Sequence, residues 1–160
     1  MILIGMGANL PSPAGAPQQT LEAALAALAE AGIALERRSP WYRSAPLPLE
    51  DQPWYVNGVV SVATRLAPVE LLGLLHRVEA RFGRVRRQRN EPRVLDLDLL
   101  DYNGKLRQEM PVLPHPRLHE RAFVLLPLAD IAPDWRHPAS GASLATLIVA
   151  LPPGQRVELL

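Results

Sequence analysis

The sequence predicts an α+β fold of the ferredoxin-like kind, an antiparallel sheet with helices packed on one of its faces and extra helices near the C-terminus. Short segments alternate apolar and polar residues, as strands do, and two longer segments repeat leucines at helical spacing. These segments follow one another in the order β-α-β-β-α-β. We expect residues 1–160 to form one domain that buries about two-thirds of its unfolded surface.

The N-terminal segments supply a strand, a helix and a second strand. Residues 1–6 are almost entirely apolar, which is typical of a buried strand. The leucines that follow lie at helical spacing, with Pro17 placed to open the helix and Gly32 placed to end it. We interpret residues 33–43 as a strand that Pro40 interrupts.

The middle of the chain continues with a loop, a strand and a second helix. Residues 44–53 contain several prolines and are predicted to be a loop. In residues 55–64, valines alternate with other side chains, which predicts a strand with Tyr55 and Asn57 on the same face. Pro68 opens the second helix, whose apolar stripe points to the core.

The last third carries a further strand and several short elements. Residues 94–102 are predicted to form a strand, and Asn103-Gly104 favours a hairpin with a short return strand. Residues 117–131 are interpreted as one or two short helices, split at Pro127. The remaining predicted elements are a short helix at 142–151 and an edge strand at 156–160.

Composition excludes several classes of protein. The formal net charge of +1 gives no general attraction to nucleic acids or membranes, and the absence of cysteine excludes disulfides and thiolate chemistry. No apolar segment approaches the ~18 residues of a membrane span, and no signal peptide is evident. We therefore expect a cytoplasmic protein, a monomer that binds neither nucleic acid nor membrane.

Two aspartates on one predicted strand indicate a metal site. Leu95, Leu97 and Leu99 alternate with Asp96 and Asp98, so both carboxylates lie on one face, roughly 7 Å apart at ~3.3 Å per residue. The alternative is a solvent-facing edge strand, but aspartate is depleted in strands. Like charges this close repel unless a cation lies between them, and carboxylate oxygens are ligands that Mg²⁺ prefers.

A cluster of arginines directly precedes this strand. Guanidinium groups beside carboxylate-bound Mg²⁺ can hold a polyphosphate and stabilise charge that moves along it. We predict phosphate contacts for Arg84, Arg86 and Arg93, and we interpret Arg81 and Arg87 as solvated loop charges. Since the chain has no Gly-Lys-Ser/Thr motif, the pattern indicates a nucleoside triphosphate bound without a P-loop.

Three further residues are candidates with open alternatives. His115 lies between two prolines, whose stiff backbone suits a side chain that must be aimed, although a lone histidine is more often structural than catalytic. His76 and Glu79 are three residues apart on the second helix, off its apolar stripe, and the pattern alone favours a solvent-facing pair.

Aromatic and amide side chains indicate a second subsite. Tyr55 or Phe123 can stack on a flat heterocycle, and the amide of Asn57 offers one acceptor and two donors to its edge. On spacing alone, a buried tyrosine and a hydrogen-bonded structural asparagine are equally compatible with the pattern.

Taken together, six motifs resemble the 6-hydroxymethyl-7,8-dihydropterin pyrophosphokinase family over almost the whole chain. They are Gly5-Met6-Gly7-Ala8-Asn9-Leu10, Tyr42-Arg43-Ser44-Ala45-Pro46, Asp51-Gln52-Pro53-Trp54-Tyr55-Val56-Asn57, Gly83-Arg84-Val85-Arg86, Pro92-Arg93-Val94-Leu95-Asp96-Leu97-Asp98 and Pro114-His115-Pro116-Arg117. The resemblance implies transfer of pyrophosphate from ATP to the hydroxymethyl group of the pterin, giving AMP and the pterin diphosphate, in folate biosynthesis. It also implies two Mg²⁺ ions.

The resemblance implies roles for individual residues. The catalytic residues are Arg84, Arg93, Asp96 and Asp98, and the two aspartates are the metal ligands. The residues for ATP are His76, Glu79, Arg84, Arg86, Arg93, His115 and Arg121. The residues for the pterin are Ser44, Ala45, Leu47, Tyr55, Asn57 and Phe123. The chain departs from the family at His76, where many members have glutamine, at Met110, and in an apparently shorter loop at residues 89–91.

Two other classes of protein share parts of this pattern. A ferredoxin-like RNA-binding module would place arginines on phosphates and aromatic rings on bases, but the low net charge and the lack of a Phe/Tyr-x-Phe strand motif weigh against it. A Mg²⁺-dependent phosphodiesterase would need a water-activating base near the metal, and the sequence does not indicate one.

Overall fold

The computed structural model describes residues 1–46, 51–84 and 92–160. Of the predicted site residues, Leu47 and Arg86 lie outside these ranges, as do Arg87 and the loop at residues 89–91. In the part of the chain that is described, no helix is long and apolar enough to cross a membrane.

The described residues form strands and helices in nearly the predicted order. The strands are β1 (Ile2–Ala8), β2 (Ala34–Arg38), β3 (Tyr42–Ser44), β4 (Tyr55–Ala63), β5 (Asp96–Tyr102) and β6 (Val157–Leu159). The helices are α1 (Pro17–Glu30), α2 (Pro68–Arg81), α3 (Ala122–Ile131) and α4 (Leu144–Val149), with a 3₁₀ helix at Leu118–Glu120. Both long helices begin at the prolines that predicted them.

The strands form one antiparallel sheet. Its order is β5-β1-β4-β3-β6, and β2 also pairs with β4. The predicted interruption at Pro40 separates β2 from β3, which both pair with β4. The α+β prediction of an antiparallel, ferredoxin-like sheet with packed helices is confirmed.

Helices cover both faces of the sheet. The leucines of α1 and α2 pack with Ile4 and Val60 in one apolar cluster, as predicted for a single covered face. The opposite face carries Leu3, Val59 and Leu100, which pack against α3 and α4 in a second cluster. The expectation of helices on one face is thus incomplete, because the second face is also apolar and the C-terminal helices bury it.

A register shift in β5 separates its aspartates from its leucines. Ile4 pairs with Leu99 and Leu3 pairs with Asp101, so Leu100 is an extra residue on β5. Before this shift, Leu97 and Leu99 pack towards α1 and α2, and after it Leu100 packs towards α3. The alternating residues Asp96 and Asp98 therefore lie on the α3 face of the sheet.

The predicted return strand after Asn103-Gly104 is wrong. Residues 105–121 contain no strand, and they form only an isolated bridge between Arg107 and Leu113 and the 3₁₀ helix at Leu118–Glu120. The turn itself forms, with the N–H of Lys105 donating to Tyr102 at 3.0 Å. The prolines at positions 111 and 114 offer a reason, because a residue without an N–H cannot donate to a ladder.

The predicted split at Pro127 is also wrong in its position. Helix α3 runs through Pro127, and the break lies earlier, at Arg121, whose backbone is extended at φ −114° and ψ 110°. The neighbours Leu125 and Leu128 are fully buried against the sheet, and this burial holds the helix together despite the missing N–H.

Candidate active site

A cleft of about 300 Å³ continues the α3 face of the sheet. Where Leu3, Val59 and Leu100 face that side, α3 covers them. Further along the same strands, the residues on this face form the floor of the cleft. These residues are Gly5 and Gly7 of β1, Tyr55 and Asn57 of β4, and Asp96 and Asp98 of β5.

The cleft brings together most of the predicted site residues that the structure describes. Those that line it are Ser44, Ala45, Tyr55, Asn57, Arg93, Asp96, Asp98, Arg121 and Phe123. Those that lie outside its lining are His76, Glu79, Arg84 and His115. Arg84 nevertheless contacts Asp96 directly, so it lies immediately behind the acidic end.

Two arginines hold Asp96 in its ionised form. Nη1 of Arg93 donates to Oδ2 of Asp96 at 2.8 Å, and Arg84 donates to Oδ1. Burial by itself would raise the pKa of Asp96, but the charges of Arg93 and Arg84 outweigh it and keep the pKa below its usual value. The carboxylate is therefore anionic at neutral pH.

Asp98 is less well compensated. Burial and the negative charge of Asp96 together raise its pKa to about 7, and Arg121, whose guanidinium lies 3.7 Å away, offsets only part of this shift. The paired carboxylates thus carry excess negative charge that a cation would relieve. Their oxygen donors fit Mg²⁺.

The side chains that the structure describes do not by themselves surround this position. Among the described residues, no group of three or more histidine, aspartate or glutamate side chains is arranged to hold a metal ion. Mg²⁺ is commonly held by one or two carboxylates together with water and substrate phosphates. The donor set at Asp96 and Asp98 matches that arrangement.

Glu79 supports the acidic end from below the sheet. It is only 1 % exposed, and its Oε2 accepts the backbone N–H of Leu97 at 2.8 Å as well as the guanidinium of Arg84. The interpretation of Glu79 and His76 as a solvent-facing pair is wrong for Glu79, because α2 packs against β5 and these donors compensate its burial. His76 is half-buried on α2.

His115 is a neutral donor beside this end. Burial and the nearby charge of Arg121 lower its pKa to about 4. Its Nδ1 accepts the backbone N–H of Arg117 at 3.1 Å, so in the neutral ring Nε2 carries the proton. At neutral pH the imidazole is therefore an uncharged group that can donate a hydrogen bond to an anion.

The other end of the cleft is built around Asn57. The hydroxyl of Ser44 donates to Oδ1 of Asn57, which fixes the orientation of the amide. Gly7 leaves room for it, because a Cβ at that position would lie 2.8 Å from Nδ2 of Asn57. With the rings of Tyr55 and Phe123 in the same lining, this end suits a flat, polar-edged molecule.

Arg121 connects the two ends. Its guanidinium lies 3.7 Å from Asp98 and 5.5 Å from the centre of the Phe123 ring. Arg121 is the N-cap residue of α3. The position of the helix start therefore determines the contacts of its guanidinium with Asp98 and Phe123.

Asn9 is a residue of the site that the sequence did not reveal as such. The residue directly follows β1 and is only 2 % exposed. Its Oδ1 accepts the N–H of Arg93 at 2.7 Å, while Nδ2 donates to Gln52 at 2.9 Å and to the carbonyl of Pro53 at 3.0 Å. The sequence signal that could have identified Asn9 is its place as a polar residue directly after a buried strand.

The C-terminal segment also reaches the site. Trp54 lies between two guanidinium groups, Arg43 at 5.0 Å and Arg156 at 4.9 Å from its ring centre. The N–H of Ala45 donates to the carbonyl of Arg156 at 3.0 Å. These contacts tie both ends of the loop beside Asn57 to residues next to β6.

The fold and the cleft define a ferredoxin-like α+β protein with an acidic, arginine-flanked end and an aromatic end on one floor. The family model of 7,8-dihydro-6-hydroxymethylpterin-pyrophosphokinase (HPPK) matches residues 3–133. The chain belongs to this family.

Curated relatives extend the similarity over nearly the whole chain. A 2-amino-4-hydroxy-6-hydroxymethyldihydropteridine pyrophosphokinase of Synechocystis sp. is 45% identical over 148 residues, which are 91% of this chain and 73% of the relative. The Pseudomonas aeruginosa protein of the same name is 43% identical over 154 residues, 94% of this chain and 91% of the relative.

Solved structures share the fold. The crystal structure of wild-type Plasmodium falciparum HPPK-DHPS aligns with a TM-score of 0.69 at 12% sequence identity, covering 93% of this chain. The present chain spans 44% of that larger protein. At this identity the likeness concerns the fold alone.

Proposed function

We propose that the chain transfers pyrophosphate from ATP to the hydroxymethyl group of 6-hydroxymethyl-7,8-dihydropterin, giving AMP and the pterin diphosphate, as a diphosphotransferase of folate biosynthesis. The observation that carries the proposal is the single floor formed by β1, β4 and β5. It presents paired carboxylates at one end and an amide with aromatic rings at the other.

The acidic end suits the triphosphate. Asp96 and Asp98 would hold two Mg²⁺ ions, which neutralise phosphate charge and make the β-phosphorus more electrophilic when bound. Arg84 and Arg93 both lie against the Asp96 carboxylate, so their guanidinium groups are placed to offset negative charge that develops on phosphoryl oxygens. His115 adds a neutral N–H donor, and Arg121 adds a further positive charge.

The aromatic end suits the pterin. The amide of Asn57, oriented by Ser44, offers hydrogen bonds to the edge of a flat ring, and Tyr55 and Phe123 offer faces on which it stacks. Because both ends share one floor, the hydroxymethyl oxygen would approach the triphosphate along the cleft. Catalysis in this proposal rests on positioning and electrostatic stabilisation.

Three predicted ATP residues have indirect or unassigned places in the proposal. Glu79 acts through Arg84 and β5, since its carboxylate is buried against them. His76 retains its proposed ATP contact on the basis of family resemblance alone. Arg86, together with the pterin residue Leu47, lies outside the described residues, and both keep their proposed roles on the same basis.

The proposal includes the setting of the enzyme. We propose that residues 1–160 act as one domain, as a monomer in the cytoplasm, on small-molecule substrates. Size-exclusion chromatography with light scattering would contradict the monomer if the protein eluted at twice the mass of 17.6 kDa.

The test incubates the protein with ATP and Mg²⁺, with and without the hydroxymethyl dihydropterin, and measures AMP by chromatography. The expected result is AMP that forms only with the pterin, in equal amount to the pterin diphosphate. Release of inorganic phosphate without pterin would instead indicate a phosphodiesterase or ATPase and would overturn the proposal. AMP formation that does not depend on the pterin would overturn it as well.

A further inference from the structure

The side chain of Gln155 brackets Arg121 from a distant part of the chain. Its Oε1 accepts the N–H of Ala122 at 2.9 Å, and its Nε2 donates to the carbonyl of Glu120 at 2.8 Å. These two groups belong to the peptide units immediately before and after Arg121. One amide therefore holds the backbone on both sides of that residue.

Arg121 depends on such support because of its place in the fold. It lies between the 3₁₀ helix and α3 with an extended backbone, and its own side chain does not cap the helix. The bond from Gln155 satisfies the N–H of the first helical residue, which has no partner within the helix. A rotation of either flanking peptide would move the guanidinium relative to Asp98 and Phe123, which it now reaches together.

Gln155 is itself held in place by the sheet. It directly precedes Arg156, whose carbonyl accepts the N–H of Ala45, and β6, which pairs with β3. Its Nε2 also donates to the carbonyl of Pro152 at 3.3 Å, within the turn that forms one wall of the cleft. This segment lies beyond residue 133, where the match to the family model ends.

We propose that Gln155 is a positioning residue of the pyrophosphoryl-transfer reaction, acting through Arg121. The C-terminal segment thereby fixes the position of the Arg121 guanidinium relative to Asp98 and to the ring of Phe123, which lies on the pterin side. This inference rests on the proposed function, because Arg121 and Phe123 have their roles there.

The experiment is a double-mutant cycle between Gln155 and Arg121. Gln155→Met keeps the length of the side chain but removes both hydrogen bonds, and Gln155→Ala also opens the wall. We expect each to lower kcat of the full-length enzyme about 10-fold or more at saturating ATP and pterin, as small displacements of a catalytic group do. In the Arg121→Ala background, the same changes should alter kcat less than about 2-fold, because the group that they position is gone.

Two measurements distinguish positioning from a general structural role. Gln18→Ala is the matched control, since Gln18 is exposed on α1 outside the cleft, and it should leave kcat unchanged. Thermal unfolding of every variant reports stability separately. Equal effects of Gln155→Met in both backgrounds, or no effect in either, would overturn the inference while pterin-dependent AMP formation by the wild type stands. A wild type without that activity would overturn the proposed function, and this inference with it.

Discussion

The side-chain oxygen of Asn9 accepts the backbone N–H of Arg93 at 2.7 Å, across 84 residues of sequence. The amide nitrogen of the same side chain donates to Gln52 and to Pro53, which lie beside the aromatic end of the cleft. One buried asparagine directly after β1 therefore links the segment that carries Arg93, at the acidic end of the cleft, with the segment that leads to Tyr55, at the aromatic end.

We predict that Asn9→Ala lowers both stability and turnover. The change removes the acceptor for the part-buried N–H of Arg93 and a donor to the carbonyl of Pro53, which costs about 1–3 kcal/mol in the free energy of unfolding. Urea unfolding measures this cost, and steady-state assays measure kcat. Asn9→Asp is the control that keeps the acceptor for Arg93, so it should retain more turnover than Asn9→Ala. Equal kcat values for the two variants would contradict the assigned contact.

We predict that Asp98→Asn abolishes turnover but stabilises the metal-free protein in a pH-dependent way. The pKa of Asp98 is raised from 3.8 to about 7, so the folded state binds a proton more tightly than the unfolded chain. The stability that this proton gives is present below about pH 4 and is lost as the pH rises through 7. The variant avoids that loss.

The check is the melting temperature of both proteins in EDTA. The variant should exceed the wild type at pH 8 and match it near pH 4. Asp134→Asn, at an exposed aspartate, controls for loss of charge and should show no such pH-dependent difference. If the difference in melting temperature between Asp98→Asn and the wild type stayed constant with pH, it would argue against a raised pKa of Asp98 beside Asp96.

We predict that Asn57→Ala weakens pterin binding far more than ATP binding. The amide lies at the aromatic end, and its loss leaves polar groups of the ligand unpaired, which costs about 1–3 kcal/mol. Tyr55→Ala should act in the same direction through lost stacking. Calorimetric titration with ATP and with a pterin analogue separates the two ligands. Ser61→Ala, a buried polar position on the same face of β4 away from the cleft, should affect neither.

We predict that Arg84→Ala and Arg93→Ala each lower kcat by about 10²-fold, with a smaller effect on ATP binding, because transition-state charge is what they offset. Arg84 is also buried between Glu79 and Asp96, so its removal should cost about 3–5 kcal/mol in unfolding free energy. Arg93→Ala should cost less, since that side chain is 25% exposed.

Arg81→Ala is the internal control for both arginine effects. Its side chain is 62% exposed and pairs with exposed Glu30 at 3.5 Å. It should change neither kcat nor stability measurably. If Arg81→Ala proved as damaging as Arg93→Ala, the arginines would act as a diffuse basic surface and the specific roles would be wrong.

The sequence predicted those features that depend on local periodicity and on single residues with fixed backbone effects. Pro17 and Pro68 placed the starts of two helices, and the alternation of Asp96 and Asp98 with leucines placed both carboxylates on one strand face. Where long-range burial competed with a local signal, the prediction failed. Pro127 remained inside a helix because the apolar neighbours of α3 are buried on the sheet.

By itself, therefore, the sequence determined the class of fold, the family and the carboxylate pair, because each depends on local periodicity or on short motifs. Tertiary structure alone decided that Glu79 is buried beneath Leu97, that Asn9 joins two segments and that Gln155 brackets Arg121. Periodicity shows which face of an element a residue occupies, but it does not show which other element covers that face. These polar contacts form only when the sheet brings distant segments together and burial makes an unpaired polar group costly.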